Sequence, residues 1–397
     1  MRKAWVSILS ALAALTALAV ATGATAGSAR PTTAADVPTA SDRTLIRCGR
    51  ERRIGLATFV TGPAASLGAQ QSRWARFYVT RYNARNKRKK FRLIVGDTQL
   101  PNTAQAVTVA QTFAGNQSIL GVVGPGGSQE VRAVSSVFKN AGLAFVSGSS
   151  TADVVTIGSE AAAQRRGFFF RTVPRDAIQG ATVANYINRV LRARRVFIID
   201  DQETYGIGLA NEVQRRLGAA GVRVTRDSVN PGTTTDFSSL IARIPGDTQI
   251  VYIPWQLPPK AEQFGRQMRE QGKRATLFGS DGLYSPGDFT INGSYVSNFP
   301  INPRHTILRA FRRVRASGDF FGAPTYVAVQ VVAEAIDRAC RNGTATRAEV
   351  RRQLRRTRIT TRASLLGVPI RFDRNGDIRV GRFGIYRIIG GIPQPVG

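Results

Sequence analysis

The 397-residue chain holds one histidine, two cysteines, two methionines and only 25 acidic residues against 56 basic ones. Each scarcity removes a class of function. The lone histidine, His305, lies in a Pro/Asn-rich stretch, so a Ser-His-Asp triad or a histidine-based metal site has little to build on. No Gly-x-Ser-x-Gly elbow and no Walker loop occurs. No enzyme, cofactor or metal site is therefore expected, and His305 reads as a surface residue. Beyond the N-terminus no segment approaches the ~20 apolar residues that a helix needs to cross a bilayer.

The N-terminus is basic at Arg2 and Lys3, apolar from about Ala4 to Ala21, and small at Ala24-Thr25-Ala26. That order of parts predicts a secretory signal peptide over residues 1–26, with a retained membrane span as the alternative. Residues 27–47 are rich in Ala, Thr, Ser and Pro without an apolar period, which predicts a flexible leader. Cys48 lies too far along to take a lipid anchor. In an exported chain an even cysteine count predicts a bridge, here Cys48–Cys340; two unrelated thiols are the alternative.

The formal charge is +31. Basic residues are scattered along helical stretches, as at Arg312, Arg313 and Arg315, and form no stripe interleaved with aromatics. Together with the export signal this argues against nucleic acid as partner and for a solvated Arg-rich surface.

From Arg53 onward, short β-branched apolar runs alternate with longer amphipathic stretches. Strands are predicted at Ile54–Phe59, Phe91–Val95, Ile119–Val123 and Leu143–Ser147, with helices at Gln70–Arg85, Asn102–Ala114 and Gln129–Ala141. The pattern restarts with an extended segment at Phe168–Thr172 and a helix at Gln179–Leu191. Strands follow at Arg195–Ile199, Val222–Val224, Gln249–Ile253 and Ala275–Phe278, and helices at Gly206–Ala219, Phe237–Arg243 and Lys260–Gln271. The fold class is α/β, with two doubly wound parallel-sheet lobes in series. The stretch Asn298–Arg304 breaks the second pattern. Helices at Thr306–Arg315, Thr325–Arg341 and Arg347–Arg356 follow. Strand-like Pro369–Phe372 and Phe383–Ile388 then flank an Asn375-Gly376 turn.

Ligands of open α/β sheets bind beyond the carboxyl ends of the strands. The segments there are Thr61–Gly68, Gly124–Ser128 and Gly148–Thr151, all small, hydroxylated and leading into helix starts. Such loops suit a carboxylate, through oriented N–H groups and helix dipoles; helix capping is the plainer reading of any one of them. Gly124-x-Gly126 starts like a dinucleotide fingerprint but lacks the third glycine and follows the third strand. In the second half, Asp200, Asp201, Glu203 and Tyr205 follow one strand, and Gly279–Gly282, with Asp281, another. An acid facing the hydroxyl loops would suit an ammonium group.

At these loops the chain resembles the periplasmic leucine/isoleucine/valine-binding protein family, the type I solute-binding proteins of ABC transporters. The marks are TGPAASLG, GPGGS, SGSSTADVVT, DDQETYGIGLANEVQRRL, TTTDFSSLIARI, FGSDGL and IRFDRNGDI, in order from about Arg53 to the C-terminus. The resemblance implies a Venus-flytrap fold with a three-strand hinge. Lobe 1 would span 48–171 plus 302–366, and lobe 2 172–301 plus 367–397. It also implies a monomer that delivers an amino acid, branched-chain or related, to a membrane permease. Carried over residue by residue, Ser128, Ser149 and Thr151 would hold the carboxylate, with Thr151 also reaching the ammonium. Tyr205 would close from lobe 2, and Asp281 would pair with the ammonium. Trp255 and Gln256 would lie near the ligand. Leu67 stands where some members have Trp, which bears on side-chain specificity. The family's first-lobe disulfide has no counterpart. A ligand-sensing module that signals through a membrane receptor is the alternative function.

Overall fold

The computed structural model describes residues 44–314 and 319–396. The expected signal peptide and most of the expected leader lie outside the described residues. The end of that leader is not flexible: β1 (Ile46–Arg47) pairs with Thr344–Ala345. Immediately after it, the Cys48 and Cys340 sulfurs are bonded at 2.05 Å, across 292 residues of sequence.

The first lobe is built on β2 (Glu51–Thr58), β3 (Lys90–Asp97), β4 (Ile119–Val123), β5 (Phe145–Ser147) and β6 (Phe169–Arg171), all parallel, in the spatial order β3-β2-β4-β5-β6. Helices α1 (Ala65–Arg85), α2 (Thr103–Gly115), α3 (Ser128–Asn140) and the short α4 (Ser159–Gln164) connect them. β4 is buried at all of its positions, which is why it reads as a continuous apolar run rather than an alternating one.

The second lobe opens with α5 (Asp176–Asn185) and repeats the plan. Its strands are β7 (Arg195–Asp200), β8 (Arg223–Ser228), β9 (Ile250–Ile253), β10 (Thr276–Gly279) and β11 (Tyr295–Asn298), alternating with α6 (Thr204–Ala219), α7 (Ser238–Ala242) and α8 (Pro258–Glu270). The parallel order β8-β7-β9-β10-β11 matches that of the first sheet. β11 was not anticipated, because Tyr-Val-Ser-Asn carries no apolar run. In each sheet the order reverses beside the first strand, between β2 and β4 and between β7 and β9. That is where a crevice opens beyond the strand ends.

The chain then returns. Leu308 and Phe311 of α9 (Thr306–Val314) and most of α10 (Ala323–Ala339) join the core of the first lobe, with Ile54, Leu56, Leu120 and Val146. α10 is buried over most of its surface, with Gln330, Glu334, Asp337 and Arg338 forming one narrow half-exposed polar stripe. β12 (Thr344–Ala345) and α11 (Arg347–Arg355) follow.

The last crossing comes later than residue 367. Val368, Ile370, Phe372 and Ile378 pack in the first lobe's core. The expected strand at Pro369–Phe372 is reduced to single bridges, Ile359 to Ile370 and Phe372 to Ile378. Only with Phe383 and β13 (Gly384–Ile389) does the chain rejoin the second lobe, where β13 pairs antiparallel with β11 and with β14 (Ile392–Pro395).

The Asn375-Gly376 turn ties this return to the first crossing. Arg171 N–H donates to Gly376 O at 3.0 Å. The buried Arg171 guanidinium pairs with Asp377 at 2.6 Å. Gly376 has φ +89°, and a Cβ there would lie 2.1 Å from Phe169 O, so only glycine fits.

Candidate functional site

The two lobes meet in a closed arrangement. Phe59, Ala64, Leu67 and Leu100 of the first lobe pack in one apolar cluster with Trp255, Leu257, Leu283 and Tyr284 of the second. Gln70 Nε2 donates to Tyr284 O at 3.2 Å, and Ser285 to Ser66 at 3.1 Å. Between the lobes lies a small cavity of about 20 Å³. Its wall includes Leu67, Ser128, Ser149, Tyr205, Gln256 and Asp281. Six of the eight residues singled out from sequence as near the ligand thus meet at one place. The other two, Thr151, two residues beyond Ser149, and Trp255, next to Gln256, are fully buried and not part of the wall.

The first lobe's share is a network of hydroxyls. α3 begins at Ser128, and its Oγ accepts from Ser150 Oγ at 3.1 Å and from Ala152 N at 3.2 Å. Ser149 Oγ donates to Gly126 O at 2.9 Å and accepts from Gln71 Nε2 at 2.7 Å. Gln71 Oε1 in turn accepts from Thr58 at 2.7 Å. Ser147 braces the loop, donating to Pro125 O and accepting from Ser149 N and Ser150 N. Gln70 and Gln71 are buried on α1, which starts at Ala65, five residues earlier than the sequence pattern indicates.

The second lobe's share is acidic. Asp281 follows β10, and its Oδ1 accepts from the Tyr205 hydroxyl and from Gln179 Nε2. Burial nevertheless pushes its carboxyl up to about 6, against those two hydrogen bonds. Asp176, the first residue of α5, is 1% exposed, and neither carboxylate oxygen has a well-formed hydrogen bond. The buried Thr151 hydroxyl lies beside it and lowers its carboxyl, and the nearby Tyr252 hydroxyl is unpartnered. Burial drives the Asp176 carboxyl well above its ordinary value, and the negative charges of Asp153 and Asp281 add to the rise. The same burial and the facing Asp281 hold the Tyr205 hydroxyl well above its usual range.

Asp176, Gln179 and Tyr252 were not singled out from sequence. Asp176 reads as an ordinary acid at a helix N-terminus. The signal available was its place immediately after the first crossing, where the chain passes between the lobes. Phe59, Leu100 and Phe321, which also line the cavity, look like core residues from sequence. His305 lies elsewhere, its Nδ1 accepting from Ile307 N at the start of α9. Among the described residues no cluster of three or more His, Cys, Asp or Glu side chains could hold a metal ion. Among them, too, no helix is long and apolar enough to cross a membrane.

Chemically, the cavity sets the hydroxyls of Ser128 and Ser149 against the buried Asp281, with the buried Asp176 nearby. Such a site suits a small molecule with an anionic and a cationic end.

Known proteins share this architecture. An "Amino acid binding protein" of Pseudomonas aeruginosa PAO1 is 30% identical over 350 residues, covering 84% of this chain and 89% of that one. "Leu/Ile/Val-binding protein homolog 1" of Brucella abortus is 29% identical over 305 residues, 73% and 79% of the two chains. The solved structure of a leucine-binding protein from Thermotoga maritima superposes with a TM-score of 0.76 at 21% identity, covering 87% of this chain and 98% of that one. A Streptococcus pneumoniae branched-chain amino-acid transporter binding protein, solved with isoleucine, gives 0.75 at 21%, covering 87% and 99%. The family described as periplasmic binding protein matches residues 51–391, and the chain belongs to that family.

Proposed function

We propose that the chain is an extracytoplasmic solute-binding protein of an ABC importer. It closes its two lobes on an α-amino acid or a similar small zwitterion and presents it, as a monomer, to a membrane permease. The observation that carries this reading is the buried Asp281, with the buried Asp176 close behind it, set against the hydroxyl wall of Ser128 and Ser149. Buried carboxylates without a cation are costly. A ligand ammonium beside Asp281 would relieve that cost, while the ligand carboxylate would take the N–H and hydroxyl donors at the helix starts. The acids and the hydroxyls lie on different lobes, so only closure assembles the full set. A ligand therefore stabilises the closed state by its differential affinity. The N-terminal sequence and the family's periplasmic members support an exported location.

The test is calorimetry across L-amino acids, their amides and their deaminated 2-hydroxy counterparts. At least one amino acid should bind in the micromolar range or tighter, and its deaminated counterpart should bind at least a hundredfold more weakly. Equal binding of the deaminated acid would end the zwitterion reading and leave the fold intact.

A further inference from the structure

Away from the acids and hydroxyls, the cavity wall is apolar, formed by Phe59, Leu67, Leu100 and Phe321, with one exception, Gln256. Gln256 follows β9 and is held on every side. The Trp255 indole donates to Ile199 O at 2.8 Å and Ser280 Oγ to Trp255 O at 3.2 Å, which fixes the backbone. The amide nitrogen of Gln256 donates to Asp201 Oδ2 at 3.4 Å. Asp201 is 3% exposed, and its other oxygen accepts from Glu203 N at 3.1 Å.

Two glycines make room for this pair. A Cβ on Gly206 would lie 2.0 Å from Asp201 Oδ1, and one on Gly282 would lie 3.1 and 3.2 Å from Gln256 Cα and Cγ. The pair is therefore built into the second lobe. With the nitrogen turned to Asp201, the Gln256 carbonyl oxygen is the end left for the cavity. Among the described residues no hydrogen-bond donor reaches it.

We infer that Gln256, oriented by Asp201, selects ligands whose side chain ends in a hydrogen-bond donor, that is, amino acids with a short hydroxyl or amide side chain. The inference rests on the amino-acid reading above. A purely aliphatic side chain would bury the Gln256 oxygen unpaired, and a site built around a hydrogen bond discriminates strongly against analogues that lack it. Burial raises the Asp201 carboxyl to about 7. Once protonated, it would donate and turn the amide end for end, so the comparison belongs at pH 8.

The experiment titrates wild type with isosteric pairs, L-threonine against L-valine and L-asparagine against L-leucine. In at least one pair the polar member should bind about ten- to a hundredfold tighter. Gln256→Leu should erase or reverse that ratio. Asp201→Asn, whose amide can serve Gln256 from either end, should shrink it, and decides the matter if Gln256→Leu does not fold. Aliphatic members binding as tightly as their polar partners, or a ratio unchanged in the folded variants, would overturn the inference alone. Failure of every α-amino acid to bind would overturn the functional reading with it.

Discussion

The two walls of the cleft solve opposite problems. On the first lobe the side chains facing the cavity are neutral, and their hydroxyls are tied to each other and to the backbone through Ser147, Ser150 and Gln71. On the second lobe Asp281 and the adjoining Asp176 are buried acids, and Asp176 makes no well-formed hydrogen bond. One wall is finished without a ligand; the other is not. Glu130 of the first lobe is also buried and pushed up to about 7, but its carboxylate accepts from Gly127 N at 2.8 Å and it is absent from the cavity wall. Preorganised donors cost nothing further when a carboxylate arrives. A buried acid is costly to ionise unless it gains a cation, and otherwise keeps its proton, so on the amino-acid reading discrimination for the ammonium would sit on the second lobe.

The largest effect should come from neutralising that second wall. Asp281→Asn should weaken binding of the cognate amino acid at least a hundredfold at pH 8, since a desolvated ammonium loses its counter-charge. The same substitution should stabilise the unliganded protein. Folding raises the Asp281 carboxyl from 3.8 to about 6, so the folded state holds this proton more tightly than the unfolded chain. The stability it contributes is present below pH 4 and is lost as pH rises through 6. The shift corresponds to on the order of 3 kcal/mol. Melting wild type and variant from pH 5 to 8 should show the variant gaining relative to wild type, and saturating ligand should reverse the order. A constant gap across that range would mean that Asp281 carries no such cost.

Much of this contrast was legible in the sequence, and its limits have physical causes. Loops after parallel strands can be placed because buried strands read as apolar runs, and topology then sends their ends to one edge. That logic pointed to the loops holding Leu67, Ser128, Ser149, Tyr205 and Asp281, and the family resemblance added Gln256; all six line one cavity. It missed Asp176 because an acid in a helix's first turn is ordinary, and only the path of the first crossing turns it inward. It misplaced the last crossing because Val368, Ile370 and Phe372 alternate like a strand. They alternate because they cover the first core, with no neighbouring strand to pair with. The second lobe's Gly206 and Gly282 carry no local signal at all, since their role is space for Asp201 and Gln256.

A smaller effect should come from loosening the first wall. Gln71→Leu removes the acceptor of Thr58 and the donor to Ser149, both buried. The expected loss is about 1–3 kcal/mol of folding stability. Because neither hydroxyl titrates, the loss should be the same at pH 5 and pH 8, unlike that of Asp281→Asn. A loss that varied with pH in the manner of the acidic wall would show the two walls to be coupled through the cavity even without ligand.

The smallest effect belongs at the rim. Arg132 on α3 reaches across the cleft to the Thr204 hydroxyl at the start of α6, at 3.3 Å, and also pairs with Glu160 at 3.0 Å. It is a charged side chain linking the lobes at the rim, apart from the Arg175–Asp153 pair beside the first crossing, so a rim-driven closure would depend on it. Both partners of the ion pair are more than 40% exposed, and such pairs contribute about 0.2–1 kcal/mol, less in salt. Glu160, which Arg132 holds below the usual carboxylate range, keeps a second partner in the buried Arg165 at 3.1 Å. Removing Arg132 therefore leaves no charge stranded. Arg132→Ala should change affinity for the cognate amino acid less than about threefold, and the difference should vanish in 0.5 M salt. Small-angle scattering should still show the variant compacting on ligand addition. A tenfold loss that salt could mimic in wild type would move the driving force for closure from the buried acids to the rim.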